Sequence, residues 1–138
     1  MSQSDTLILT GHNLTIPELV QASRQFSPKV RISDESIARM SRNRAFAEKL
    51  ALRGDHVYGL TTGVGVRKNR LIPASEMAYY NTRMLRDHAT GQGNKLPTDV
   101  VYASTIVLLN TLAAGRSNVR PEVATHIVKK LCQGSTLL

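Results

Sequence analysis

Tyr58 opens the stretch Tyr-Gly-Leu-Thr-Thr-Gly-Val-Gly, which ends at Gly65. A phenol serves as an acid or a base when its pKa is brought down by its surroundings. Gly59, Gly63 and Gly65 free the backbone for φ > 0 and for close approach of a ligand or another chain. Leu60 to Val66 shows no helical period, so the segment reads as a structured loop that presents Tyr58. The plainer alternative is a glycine-rich turn with Tyr58 as a packing residue, and a lone glycine motif does not separate the two. The second candidate is His88, beside Asp87 and just before Ala-Thr-Gly-Gln-Gly. Histidine can be acid, base, ligand or substrate contact, although a capping or packing role also fits. Neighbours in a helix do not face each other, so Asp87 and His88 point apart. His12, His56 and His126 are scattered, without the i, i+4 spacing of a helical metal site, and Cys132 is out of register with them. No metal is expected. There is no Gly-x-Ser-x-Gly and no phosphate-binding Gly-Lys-Ser/Thr loop.

The elements that must position these residues read as mainly α, with a small β element at the N-terminus and one domain over residues 1–138. Thr6 to Leu9 is a strand or the first arm of a hairpin, closed by Gly11-His12-Asn13. Ile16 to Gln25 is a helix with Thr15 as its cap and Pro17 in its first turn, and Lys29 to Ile32 is a brief extended piece. Ser33 caps a helix that runs to about Arg53 and stops at Gly54, with Arg39, Arg42, Arg44 and Lys49 on its polar face. His56 to Arg70 is the glycine loop, and a helix from about Glu76 to Thr90 follows. Pro97 and Thr98 open a helix through Leu112 that is apolar on most faces, hence expected to be buried, and Gly115 ends it. So short a chain does not cover that helix easily, which predicts an exposed apolar patch. Ser117 or Asn118 caps the last helix, with Pro121 in its first turn and Gly134 after it.

Composition excludes several classes. With 41% hydrophobic residues in 138 the chain is globular, and no apolar run approaches the ~20 residues of a membrane span. The N-terminus lacks the pattern of a secretory signal. One cysteine, Cys132, excludes an intrachain disulfide and fits a reducing cytoplasm. The net charge of +8 raises the possibility of a nucleic-acid-binding module. The cations are spread along the chain, though, and aromatic residues are only 4%, so stacking platforms are scarce.

Three ordered motifs resemble the N-terminal part of the aromatic amino acid ammonia-lyases, the histidine, phenylalanine and tyrosine enzymes and related aminomutases. Val57 to Gly65 is similar to the family's Tyr-Gly-x-(Asn/Thr)-Thr-Gly-Phe-Gly loop. Asp87 to Gly93 is similar to its Ser-His-Ala-x-Gly-x-Gly. Leu109 to Arg120 is similar to its Asn-x-Leu-x-x-Gly-x-Ser-Gly-(Ile/Val)-Arg, and Gly11 to Leu19 suits the family's opening. The resemblance implies the helical N-terminal region of that fold. It implies elimination of ammonia from an amino-acid substrate to an α,β-unsaturated acid, on a methylidene-imidazolone formed from Ala-Ser-Gly. Tyr58 matches the loop tyrosine implicated in proton transfer, with Gly59, Gly63 and Gly65 as hinge and close-approach positions. His88 matches a contact to the substrate side chain and is typical of the histidine-using branch, where leucine is common in the tyrosine- and phenylalanine-using ones. Leu60 and Asp87 are carried over as further substrate contacts.

The chain departs from the pattern in places. Val64 stands for phenylalanine, Asn81 for glutamine, Arg83 for asparagine, Asp87 for serine or an aromatic residue, and Asn118 for glycine. A carboxylate at 87 facing the pocket would favour a cationic ring. No Ala-Ser-Gly occurs in the 138 residues, so they do not make the electrophile themselves. The expectation is part of a lyase, either a fragment or half of a split enzyme. The remaining part of the lyase, or a complementary chain, would complete it in an oligomer, the family being tetrameric. The alternative is a non-catalytic relative that binds or regulates a full-length lyase.

Overall fold

The computed structural model describes residues 6–135, which fall into two compact units. The first comprises the described residues up to Ala45 together with those from Leu96 onward; the second is Phe46–Lys95.

The first unit begins with β1 (Leu7–Leu9), α1 (Ile16–Ser23) and β2 (Val30–Ile32). Leu7, Ile8 and Leu9 pair with Val30, Arg31 and Ile32 in parallel, so α1 is a crossover and not one side of a hairpin. This corrects the hairpin expectation: a parallel pair needs a connection that returns the chain to the same end, and a tight turn does not provide one. Leu9, Val30 and Ile32 point into the core while Arg31 lies outside, the alternation of a half-buried strand.

Thr15 caps α1 as expected and forms a full capping box. Its hydroxyl accepts from the Glu18 N–H, and the Glu18 carboxylate accepts from the Thr15 N–H at 2.9 Å. The Thr15 hydroxyl and amide together hold the Glu18 carboxyl below its ordinary value of 4.5. A depressed carboxylate stabilises the fold above its unfolded pKa, and that contribution is lost as pH falls through the lower folded value. Glu18→Gln is therefore expected to flatten the pH dependence of the thermal midpoint below about 4.5, as read by circular dichroism.

The helix α2 (Asp34–Leu52) follows, its residues up to Ala45 belonging to this unit, and α4 (Thr98–Ala113) and α5 (Pro121–Cys132) complete it. Tyr102, Ile106, Leu109 and Ala113 form the buried stripe of α4, at helical spacing, against Met40, Ala124 and Leu131 in one core. Burial of a side chain such as Ile106 or Leu109 stabilises by about 1.5–3 kcal/mol. The expectation that α4 is buried on most faces is corrected. Val100, Val107 and Leu108 are each more than 40% exposed, so the helix presents an apolar strip on its other side, and the predicted exposed patch is present.

Two further corrections concern helix ends. No side-chain cap starts α5, at Ser117 or at Asn118. Residues before a proline are pushed out of the α region, so Arg120 is extended at ψ 135 and the helix starts at Pro121. Asn118 instead sits at φ +53, a conformation glycine takes more easily and asparagine tolerates. The third helix, α3 (Met77–Asp87), is shorter than the predicted Glu76–Thr90 and ends with His88 as its C-cap.

Arg39 departs most from its expected place. It is not on a solvated face: its guanidinium donates to the carbonyls of Thr10 (2.8 Å), Ala113 (2.7 Å) and Ala114 (3.1 Å) and to the Ser36 hydroxyl (2.9 Å). Helix C-termini carry unsatisfied carbonyls and the negative end of the dipole, and Arg39 answers both for α4. The motif glycine Gly11 donates its N–H to Asn110 Oδ1 at 3.0 Å. A Cβ on Gly11 would lie 2.5 Å from the Ala114 backbone, so only glycine fits there. Two of the motifs read from the sequence are thus one packing contact.

Candidate functional site

The second unit holds the tyrosine loop and α3. The Val57 carbonyl accepts from the N–H groups of Leu60, Thr61 and Thr62 at 3.0, 2.9 and 3.2 Å, which folds the chain back immediately after Tyr58. The Thr61 hydroxyl accepts from the Val57 N–H at 2.8 Å and donates to the Asp55 carbonyl. The Thr62 hydroxyl donates to the Gly63 carbonyl at 3.1 Å. Thr61 and Thr62 are buried, whereas Tyr58 is 65% exposed. The loop is therefore pinned by two threonines underneath and displays the phenol above them.

Past the threonines the loop closes on itself. Thr62 bridges Leu71, the Gly63 N–H donates to the Arg70 carbonyl at 3.0 Å, and a 3₁₀ turn spans Gly65–Arg67. The three glycines differ in what requires them within the loop. Gly59 and Gly65 take φ of +69 and +58, and Gly63 is the close approach, where a Cβ would lie 2.6 Å from that of Arg67. The Gly65 N–H donates to the Tyr58 phenol oxygen at 3.3 Å, and the preceding Val64 N–H donates to that of Tyr80 at 3.2 Å. Tyr58 keeps its own O–H for another partner.

His88 is exposed at the end of α3, with Nδ1 2.8 Å from the Met84 carbonyl oxygen. A carbonyl only accepts, so Nδ1 carries the hydrogen, and in the neutral ring Nε2 is left as an acceptor. Asp87 is drawn the other way, to Arg83 at 4.0 Å, both being more than half exposed. Such a surface pair contributes little stability. It does join two departures from the family pattern into one: Arg83 and Asp87 are a matched i, i+4 pair. Leu60 is half-buried in the loop. Among the described residues no hydrogen bond joins Tyr58 to His88 or to Asp87, and no His/Cys/Asp/Glu cluster could hold a metal. Thr61, Thr62 and Tyr80 were not anticipated. A buried hydroxyl in a glycine loop leaves no periodic signal, and the register of Tyr80 with Arg83, Met84 and Asp87 is its only trace.

The parallel β1–α1–β2 unit packed against α4 and α5, and the tyrosine-bearing glycine loop, define the N-terminal region of the ammonia-lyase and aminomutase fold. Tyrosine aminomutase from Streptomyces globisporus superposes with TM-score 0.87 at 28% identity, over 94% of this chain and 24% of that one. Ergothionase from Treponema denticola, solved with desmethyl-ergothioneine sulfonic acid, superposes with TM-score 0.88 at 30% identity, over 94% and 26%. Residues 14–136 match the family described as aromatic amino acid lyase, and the chain belongs to it. Histidine ammonia-lyase of Gloeobacter violaceus is 42% identical over 132 residues, 95% of this chain and 25% of the relative. The chain thus spans about a quarter of the length of the curated relatives it matches. No helix among the described residues is long and apolar enough to cross a membrane.

Proposed function

We propose that this chain supplies the proton-transfer loop and one substrate contact of an ammonia-lyase acting on histidine or a related polar aromatic amino acid. Tyr58 moves the proton, and His88 receives the substrate ring. Two observations support the reading: an exposed phenol held by the Gly65 N–H, and a histidine at the end of α3 whose Nδ1 is bonded to a carbonyl, which leaves Nε2 of the neutral ring as an acceptor. An acceptor there selects a ring with an N–H or O–H to give, as in histidine or tyrosine, over the bare ring of phenylalanine.

These 138 residues contain no Ala-Ser-Gly, so they do not make the methylidene-imidazolone, and their contribution is binding and proton transfer. The electrophile would come from the remaining part of the lyase or from a complementary chain. The second unit supports completion from outside: α3 buries none of its residues, with Tyr79 and Leu85 69% and 77% exposed. A short amphipathic helix gains most of its stability from what covers its apolar face.

The reading is tested with the assembled enzyme and its His88→Leu variant. Removing the acceptor is expected to lower kcat/KM for histidine by roughly a hundredfold or more relative to phenylalanine. An unchanged ratio would remove His88 from the substrate site.

A further inference from the structure

Two consecutive amides of the glycine loop are answered by two different tyrosines. Val64 donates its N–H to the Tyr80 phenol oxygen at 3.2 Å, and Gly65 donates its N–H to that of Tyr58 at 3.3 Å. Both amides stand at the start of the 3₁₀ turn Gly65–Arg67. The internal bonds of that turn begin two residues later, where Arg67 and Lys68 donate to the Val64 and Gly65 carbonyls at 3.1 Å each. The first N–H groups of a helical turn have no partner within it. A serine, threonine or aspartate at the cap would supply one from its own side chain. Val64 occupies that place and makes no side-chain cap, so the turn is capped from outside, by phenols.

We propose that Tyr80 is a positioning residue for proton transfer. By holding the Val64 amide to α3 it sets the direction of the Gly65 N–H, and with it the place of the Tyr58 hydroxyl. The inference rests on the reading of Tyr58 as the group that moves the proton.

The backbone makes the coupling short. Only the two torsions of Val64 separate one amide from the next, and they are extended, at φ −114 and ψ 163. Extended backbone turns successive N–H groups to opposite sides. An amide held on one side by Tyr80 therefore aims the following one at Tyr58 on the other. Gly65, at φ +58, adds no stiffness of its own, because glycine enters and leaves that region freely. Tyr80 can act as a post because its own backbone is fixed. Its N–H donates to the Glu76 carbonyl at 2.9 Å at the start of α3, and the residue is half-buried. The threonine anchor holds the chain ahead of this point, and the Gly63 N–H is taken by the Arg70 carbonyl at 3.0 Å.

The test is a double-mutant cycle in the assembled lyase with histidine as substrate, read as kcat and KM. Tyr80→Phe keeps the ring and removes only the acceptor. It is expected to lower kcat by roughly ten- to a hundredfold with KM little changed, the order of loss that a small misplacement of a reacting group causes. In the Tyr58→Phe background the same change should lower kcat by less than about twofold, since the hydroxyl it positions is already gone. A purely structural Tyr80 would slow both backgrounds by the same factor, and that result would overturn the proposal. A normal kcat in Tyr80→Phe beside a slow Tyr58→Phe also overturns it, and leaves the proton-transfer reading standing. A normal kcat in Tyr58→Phe overturns both. Circular dichroism and gel filtration follow the fold and assembly of Tyr80→Phe; loss of either would make Tyr80 a folding residue and end the proposal.

Discussion

Arg39→Ala is expected to lower the stability of the chain by about 3 kcal/mol or more, read as a shift of the urea midpoint. One guanidinium satisfies the carbonyls of Thr10, Ala113 and Ala114 and the Ser36 hydroxyl, and its side chain is only 24% exposed. Hydrogen bonds from a charged donor are worth about 1.5–3 kcal/mol each, and carbonyls stripped of a partner add their own desolvation cost. The loss is a large share of the ~5–15 kcal/mol that holds an ordinary domain together. The Arg39 stem also packs against Gly115, so the substitution removes packing as well as hydrogen bonds. Arg39→Lys should recover only part of the loss, since an ammonium does not span three acceptors as a planar fork does. Arg31→Ala gives the contrast. It breaks a 3.2 Å pair with Asp34, whose side chains are 51% and 96% exposed, and should cost less than about 1 kcal/mol. Equal effects at the two positions would mean that Arg39 acts as another surface charge.

Tyr58→Phe is expected to lower kcat of the assembled lyase by about 10²–10⁴-fold, the usual contribution of a positioned acid or base. KM should change little, because the ring remains and only the hydroxyl is lost. The loop should stay folded. Its closure rests on the Val57 carbonyl and the hydroxyls of Thr61 and Thr62, and the Gly65 N–H left without its phenol partner is exposed to water. Structural collapse and chemical loss are therefore separable, the first by circular dichroism and the second by turnover. A variant with normal kcat would assign the proton to another group.

What the sequence could reveal followed local chemistry. Thr15, Pro17, Gly54 and Gly115 mark helix ends through bonds and torsions set within a few residues, and the helices start and stop close to where those residues require. The loop was legible for the same reason: three glycines in eight positions leave few backbone alternatives. Long-range pairings were not legible. Strands of three residues are too short for alternation to specify a partner, so the parallel pairing of Leu7–Leu9 with Val30–Ile32 had no sequence signature. Arg39 read as solvated because helical periodicity places a charge on a face without saying what lies against it. Its carbonyl acceptors are 29 to 75 residues away. On α4 the composition suggested burial all round, whereas only the surface that meets α1, α5 and the strands is covered. Tyr80 lay beyond reach because its partner is a backbone amide, which every residue but proline offers.

The most direct test of the account is native purification from the source through this chain, with intact mass and an ultraviolet assay on histidine. The account predicts an Ala-Ser-Gly sequence in the purified material, joined to this chain or accompanying it, and a conjugated acid that absorbs in the near ultraviolet. A 138-residue chain that purifies alone, without Ala-Ser-Gly and without turnover, would contradict it and leave the non-catalytic relative as the better description.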